Sequence, residues 1–173
     1  MDTLIVWVAQ YLLWIMVAGI AAVWLFAESR SGKVQLGLAA VVGVVLGLIF
    51  LYIAKNVHTD LRPFVQNPHL KPLFPHPADN GFPSDHSLAA GVIATLVIAR
   101  HRIIGFVFAL GAVAIAWARV AAHVHHVQDV VAGLLIGALA AVIGILVAHW
   151  VAPRLLPRLP EPLRDRPAAH ARR

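Results

Sequence analysis

The sequence predicts an all-α membrane protein, a polytopic helix bundle with five transmembrane helices. Of its 173 residues, 60% are hydrophobic and only 13% are charged, whereas soluble domains carry about 25% charged residues. The apolar residues also occur in blocks of about twenty, which is the length of helix that crosses a bilayer. Cysteine is absent, so disulfides and thiolate metal sites are excluded.

The five predicted helices follow one another within residues 1–152, which we take as a single membrane domain. The chain starts without the basic leader of a secretory signal, so we expect the first helix to be retained. The third apolar block is short, and it reaches about 28 Å only when all 19 residues from Ser84 to Arg102 are counted. We place the helices at residues 4–26, 34–54, 84–102, 103–122 and 125–152.

Two segments are not expected to cross the membrane. Residues 55–83 hold six of the eleven prolines, so they cannot form one continuous helix, and their Phe residues suit a lid or a lipid-entry wall. Pro153 is expected to close the last helix. Residues 153–173 then carry six arginines, and we predict a disordered, basic, cytoplasmic tail.

The alternation of five spans assigns every connection to one side of the membrane. The side of the 55–83 loop carries four of the fourteen Lys and Arg residues, and the other side carries the remaining ten. The positive-inside rule places the ten in the cytoplasm. The 55–83 loop and the 119–129 turn are therefore expected to face outward.

Three polar clusters fall on that outward side. They are Lys55-x6-Arg62-Pro63, Pro83-Ser84-Asp85-His86 and Arg119-x5-His125-x3-Asp129. Ionisable residues at the rim of a membrane segment are costly and indicate a functional site. If the last helix begins near residue 125, His125 and Asp129 share one face. The carboxylate can then hold one imidazole nitrogen protonated and leave the other as a nucleophile or general base.

The ligand that these clusters share is predicted to be a phosphate. Ser84 stands where the third helix begins, so its hydroxyl and the free amides after it form an anion site that the helix dipole reinforces. Arg62 and Arg119 can fork onto phosphate oxygens, and Lys55 adds a point charge.

The three clusters resemble the signature of the type-2 phosphatidic acid phosphatase superfamily, which is Lys-x6-Arg-Pro, Pro-Ser-Gly-His and Ser-Arg-x5-His-x3-Asp. The resemblance implies a phosphatase without metal or other cofactor, in which His125 forms a phosphohistidine and Asp129 orients it. His86 protonates the leaving oxygen and later activates water. The residues that hold the phosphate are Lys55, Arg62, Ser84, Asp85 and Arg119.

Two positions depart from the family pattern. Asp85 replaces the glycine of the second motif, and Ala118 replaces the serine of the third. An Asp at this position resembles the bacitracin-resistance subgroup, the undecaprenyl-pyrophosphate phosphatases of the bacterial envelope. The resemblance therefore implies hydrolysis of undecaprenyl pyrophosphate at the outer face of the cytoplasmic membrane. The expected partners are this lipid phosphate and membrane lipids, with no nucleic acid.

Other interpretations remain open from the sequence. Within the family, a phosphatidylglycerophosphate or broad lipid-phosphate phosphatase is the alternative, as is a phosphotransferase; outside it, the basic pocket fits an anion-binding or transport protein. A metal site of three neighbouring histidines is disfavoured, since adjacent side chains on a helix point apart. No motif claims His58, His69, His76, His123 and His126.

Overall fold

The computed structural model describes residues 1–158 of the chain, and this part is a helix bundle, as predicted. Among these residues a single pair, Leu61 and Asn80, forms an isolated β-bridge. The long helices are α1 (Asp2–Ala22), which continues as a π-turn (Val23–Ala27), and α2 (Arg30–Val57), α4 (Asp85–Arg100), α5 (Arg102–Ala121) and α6 (Val127–Leu155). The short elements are α3 (Pro63–Gln66) and a closing 3-10 turn (Leu156–Arg158).

Four of these helices are long and apolar enough to cross a membrane by themselves, namely α1 with its π-turn, α2, α5 and α6. The fifth long helix, α4, has only 16 residues, and nine of them are buried. It packs against α1, α2, α5 and α6. Because its neighbours enclose it, α4 does not have to present a lipid-facing surface of full membrane thickness.

Glycines bring α4 and α6 into backbone contact. A Cβ atom added to Gly137 would lie 2.1 Å from the carbonyl oxygen of Leu88. The same addition at Gly133 would lie 2.5 Å from the carbonyl oxygen of Ser84. These glycines therefore set how closely the start of α6 can approach the start of α4.

The bundle has two chemically different ends. At one end the start of α1, the end of α5 and the connections meet in an apolar cluster of Ile5, Ala9, Phe74, Ala118, Ala122 and Val124. At the other end the nearly buried Glu28 accepts hydrogen bonds from Arg100, Nε to Oε1 at 2.9 Å and Nη2 to Oε2 at 2.6 Å. The Arg100 guanidinium holds the pKa of Glu28 below its usual value, so the pair stays ionised.

Several predicted helix boundaries differ from the structure, most clearly those of α2 and α6. Helix α2 is longer at both ends than residues 34–54, and α6 continues through Pro153 to Leu155, two residues beyond the expected stop. Helix α6 also begins at Val127 rather than at residue 125, for a reason given below. Of the predicted tail, residues 159–173 lie outside the described residues.

Candidate active site

The turn between α5 and α6 contains three histidines in different conformations. His123 adopts a left-handed conformation (φ 60°), which ends the run of α5. His126 is extended (φ −81°, ψ 163°), and its amide donates to Oδ2 of Asp129 at 2.8 Å. This capping box starts α6 at Val127. His125 therefore precedes the helix, which corrects the expectation that the His125–Asp129 pair shares a helical face.

His125 nevertheless contacts Asp129, with Nδ1 and Oδ2 3.3 Å apart. Its other ring nitrogen, Nε2, lies 3.2 Å from Nη1 of Arg62 and 3.4 Å from Nη2 of Arg119. A guanidinium can only donate, so Nε2 must be the acceptor. The proton of the neutral ring is consequently on Nδ1, directed at Asp129.

The surroundings of His125 favour this neutral form. The residue is 2% exposed, and burial lowers its pKa below the usual value, as do the charges of Arg119 and Arg62. The hydrogen bond that Nδ1 donates to Asp129 raises the pKa without reversing the shift. At neutral pH, Nε2 is therefore unprotonated, and its electron pair faces the two arginines.

Arg62 is held on two sides. It is 5% exposed and precedes α3 as its N-cap residue, followed by Pro63. Nη1 donates to the carbonyl oxygen of Val124 at 2.8 Å. Nε and Nη2 both lie 2.8 Å from Oδ1 of Asp79. These bonds fix the guanidinium plane beside His125.

Arg119 stands in the last turn of α5 and is 2% exposed. Its guanidinium lies 5.6 Å from the ring centroid of Phe74, and Nη2 donates to Nε2 of His76 at 2.8 Å. The buried Nε has no hydrogen-bond partner among the described residues. A buried cationic donor without a partner, next to the unprotonated ring nitrogen of His125, is suited to an anionic ligand.

The second cluster begins α4, as the sequence indicated. The fully buried Ser84 is the N-cap residue, and its Oγ accepts from the amide of Ser87 at 3.4 Å. The Ser84 amide donates to the carbonyl oxygen of Asp129 at 3.0 Å, which ties the start of α4 to the start of α6. The exposed Asp85 carboxylate contacts Nδ1 of His86 at 3.1 Å. It also interacts electrostatically with Arg119.

Two predicted site residues, His86 and Lys55, make fewer contacts within the site. His86 lies in the first turn of α4, and no hydrogen bond joins its ring to His125 in the described chain. Lys55 lies half-buried in the last turn of α2, and no carboxylate of residues 1–158 pairs with its ammonium. Both groups are therefore available to a ligand.

Sequence reasoning missed three residues of the loop. Both polar atoms of the Asn80 side chain are hydrogen-bonded. Nδ2 donates to the carbonyl oxygens of Lys55 (3.1 Å) and His58 (3.0 Å). Oδ1 accepts from the amides of Asp60 (3.0 Å) and Phe82 (2.9 Å). It thereby joins the first cluster to the second. The other two missed residues are His76 and Asp79, which contact Arg119 and Arg62.

The neighbouring histidines do not converge on a metal site. His123 Nδ1 lies 3.1 Å from the carbonyl oxygen of Lys71, and His126 Nε2 lies 3.1 Å from that of Leu61. Within the part of the chain that the structure describes, no group of three or more His, Asp or Glu side chains could hold a metal ion.

An apolar groove reaches the site from the membrane region. It has a volume of about 340 Å³ and is formed by α1, α2 and α4. Its lining includes Val17, Ile20, Val44, Leu48, Ala89 and Asp85. Asp85 belongs to the second cluster, so the groove joins the polar site to an apolar space of the kind that a lipid chain fills.

These features define a class of protein, a membrane helix bundle with a buried histidine between two arginines at one end. The model of the PAP2 superfamily matches residues 36–154. The chain therefore belongs to the PAP2 superfamily, and it is a membrane lipid phosphatase.

Curated relatives agree with this membership. The chain is 31% identical over 155 residues to the "bacitracin transport permease protein BcrC" of Bacillus licheniformis, covering 90% of this chain and 73% of that protein. It is 31% identical over 146 residues to the "undecaprenyl-diphosphatase BcrC" of Bacillus subtilis, covering 84% of this chain and 72% of that protein.

A solved structure shares the fold. The crystal structure of Aquifex aeolicus LpxE superimposes with a TM-score of 0.67 at 26% sequence identity. The match covers 84% of this chain and 85% of that chain. The arrangement of helices around the site is thus shared with a solved protein.

Proposed function

We propose that the protein hydrolyses a polyprenyl pyrophosphate, with undecaprenyl pyrophosphate the favoured substrate, to the polyprenyl monophosphate and inorganic phosphate. A relative that the chain covers to more than two thirds is an undecaprenyl-diphosphatase. The observation that carries the proposal is the position of His125 Nε2, 3.2 Å from Arg62 and 3.4 Å from Arg119.

The first chemical step follows from this position. The terminal phosphate binds between Arg62 and Arg119, with Lys55 and the amides at the start of α4 as further donors. His125 Nε2 attacks the terminal phosphorus, and the bond from that phosphorus to the bridging oxygen breaks. Asp129 stabilises the positive charge that develops on the ring.

His86 acts in both steps, first as an acid toward the leaving group and then as a base toward water. His86, placed in the first turn of α4 with Asp85 against its Nδ1, gives a proton to the departing monophosphate. It then takes a proton from the water that attacks the phosphohistidine. Inorganic phosphate leaves, and His125 returns to its neutral form.

The lipid chain is placed in the apolar groove between α1, α2 and α4. This groove reaches Asp85, so a chain lying in it can present its pyrophosphate at the start of α4. We also infer a location in the bacterial cytoplasmic membrane with the site facing outward. The basic residues at the opposite end, including Arg100 and Arg102, support this orientation.

The test is phosphate release from undecaprenyl pyrophosphate by the purified protein in detergent with EDTA, compared with His125→Ala and with His69→Ala. His69 lies on the exposed part of the loop, so it is the matched control. We expect release by the wild type and His69→Ala and a loss of several orders of magnitude in His125→Ala. Equal release by all three would exclude His125 as the nucleophile.

The same assay separates the alternatives. Faster release from phosphatidylglycerophosphate or phosphatidic acid than from the pyrophosphate would assign a lipid-monophosphate substrate. A binding or transport protein would retain its affinity for the lipid in His125→Ala and release no phosphate in any form.

A further inference from the structure

The segment Pro75-His76-Pro77-Ala78-Asp79, here named the strap, crosses the site between two anchored residues. Before it, Phe74 is buried in the apolar cluster at the end of α5, and the amide of Leu73 donates to the carbonyl oxygen of Ala122 at 3.2 Å. After it, Asn80 is held by its four hydrogen bonds. Two prolines further restrict the five residues. The strap is therefore a fixed wall of the site.

The polar side chains of the strap both contact the phosphate-binding arginines. Asp79 pairs with Arg62, as described above. His76 accepts a hydrogen bond from Nη2 of Arg119 at 2.8 Å, and the same Nη2 lies 3.4 Å from Nε2 of His125. The His76 and His125 rings are 6.2 Å apart between centroids and nearly perpendicular. Nε2 atoms of two histidines therefore border one space beside the Arg119 guanidinium.

We propose that His76 is a further phosphate ligand. As phosphate enters, Nε2 of His76 takes up a proton from solvent, gives up the hydrogen bond that it accepts from Arg119 and donates one to the phosphate instead. This inference rests on the phosphate site proposed above. It adds a group that lies outside the three sequence clusters.

The charges around His76 explain why the proton arrives with the ligand. In the free protein, burial and the charges of Arg62 and Arg119 lower the pKa of His76 to about 4. His125 acts in the same direction, and Asp79, which also faces the ring, interacts with it electrostatically. A phosphate dianion between the arginines offsets both positive charges, so the pKa of His76 must rise on binding.

A direct test follows the His76 ring by NMR in histidine-labelled protein in micelles, with the signal assigned from a His76→Gln sample. Inorganic phosphate is the probe. We expect the pKa of His76 to rise by about two units or more when phosphate saturates the site. An unchanged pKa in saturating phosphate would overturn the inference.

A second test uses inhibition by inorganic phosphate in His76→Gln, His76→Ala and the control His69→Gln. Loss of a charge-assisted hydrogen bond should raise the inhibition constant about tenfold or more at about pH 5.5, and less at about pH 8.5. Gln retains an acceptor for Arg119. Full rescue by His76→Gln at both pH values would therefore show that His76 only positions Arg119.

The two proposals fail separately. A wild type that binds phosphate with the expected His76 shift but releases none from any polyprenyl pyrophosphate would refute the proposed substrate and leave the ligand role of His76 in place. A wild type that hydrolyses the lipid while the pKa of His76 stays unchanged in saturating phosphate would support the proposed substrate and refute the ligand role of His76.

Discussion

Nη1 of Arg62 lies 3.2 Å from Nε2 of His125, although the residues are 63 positions apart in the chain. The same Nη1 donates to the carbonyl oxygen of Val124 at 2.8 Å. One guanidinium thus contacts both the backbone of Val124 and the Nε2 atom of His125. Its planar shape allows both contacts while Nε and Nη2 pair with Asp79.

Arg62→Lys should therefore be strongly impaired although it keeps the charge. A lysine ammonium cannot reproduce the fork that holds Val124, Asp79 and a phosphate oxygen together, and we expect kcat/KM to fall by about 10²-fold or more. Steady-state kinetics with the pyrophosphate lipid measure this, with thermal unfolding as the check on folding. Arg102→Lys, at the opposite end of the bundle, is the control and should retain wild-type activity. A loss below about threefold would contradict the geometry.

The lowered pKa of His125 predicts that the pH profile of kcat/KM falls off only at low pH. In the proposed mechanism only the neutral ring attacks phosphorus, so activity falls as pH decreases through this pKa, which burial and the two arginines hold below about 6.5. The pH profile of kcat/KM should therefore decline only below about pH 6.5. Asp129→Asn removes an interaction that raises this pKa, so its limb should move lower still, with a reduced plateau. A wild-type midpoint above about 6.5 would refute the assignment.

The apolar groove predicts a variant with a defect specific for long chains. Ala89→Trp should fill the groove beside Asp85 and raise KM for undecaprenyl pyrophosphate about tenfold, since each displaced CH₂ contact costs about 0.8 kcal/mol. Geranyl pyrophosphate, whose chain is short, should be affected much less. Val41→Trp is the matched control, because Val41 lies on α2 outside the groove and is 63% exposed. Equal effects of Ala89→Trp on both substrates would show that the lipid chain does not bind in the groove.

The close packing of α4 and α6 predicts that Gly137 cannot be replaced by a larger residue without loss of stability. Gly137→Ala places a methyl group 2.1 Å from the Leu88 carbonyl oxygen, so the helices must separate, and we expect a lower Tm together with reduced kcat. Gly37→Ala is the comparison, since its nearest neighbour, Nε1 of Trp24, would lie 3.6 Å away. That change should be neutral or stabilising by up to about 1 kcal/mol, because Ala favours a helix interior. A Gly137→Ala protein as stable as Gly37→Ala would contradict the packing.

The helices were predictable from the sequence because apolar blocks of membrane length have few alternative structures. The spacing of the three clusters likewise indicated which residues meet, and the structure brings Arg62, Arg119, His125 and Asp129 together. The start of α6 was predicted two residues too early. Its N-cap is His126, which is not one of the residue types usually found there, so only the hydrogen bond to Asp129 reveals it.

The contributions of His76, Asp79 and Asn80 could not be predicted in this way. They lie in a proline-rich loop without periodicity, and the partners through which they join the clusters are 17 to 43 positions distant in the chain. Local pattern rules carry no information about such contacts. The available signals were weak: a histidine between two prolines, and an Asn-Gly pair directly before the second cluster.

The four bonds of Asn80 also separate the loop into a base and a tip. Lys55, His58 and Asp60 meet Asn80 and Phe82 at the base, whereas Asn67, Pro68 and His69 are exposed at the tip. A longer chain at the tip increases the entropic cost of closing the loop only slightly, and it leaves the hydrogen bonds at the base unchanged. The tip is therefore the position at which an epitope, a fluorescent label or a small foreign domain can be grafted onto this enzyme with the reacting residues left in register.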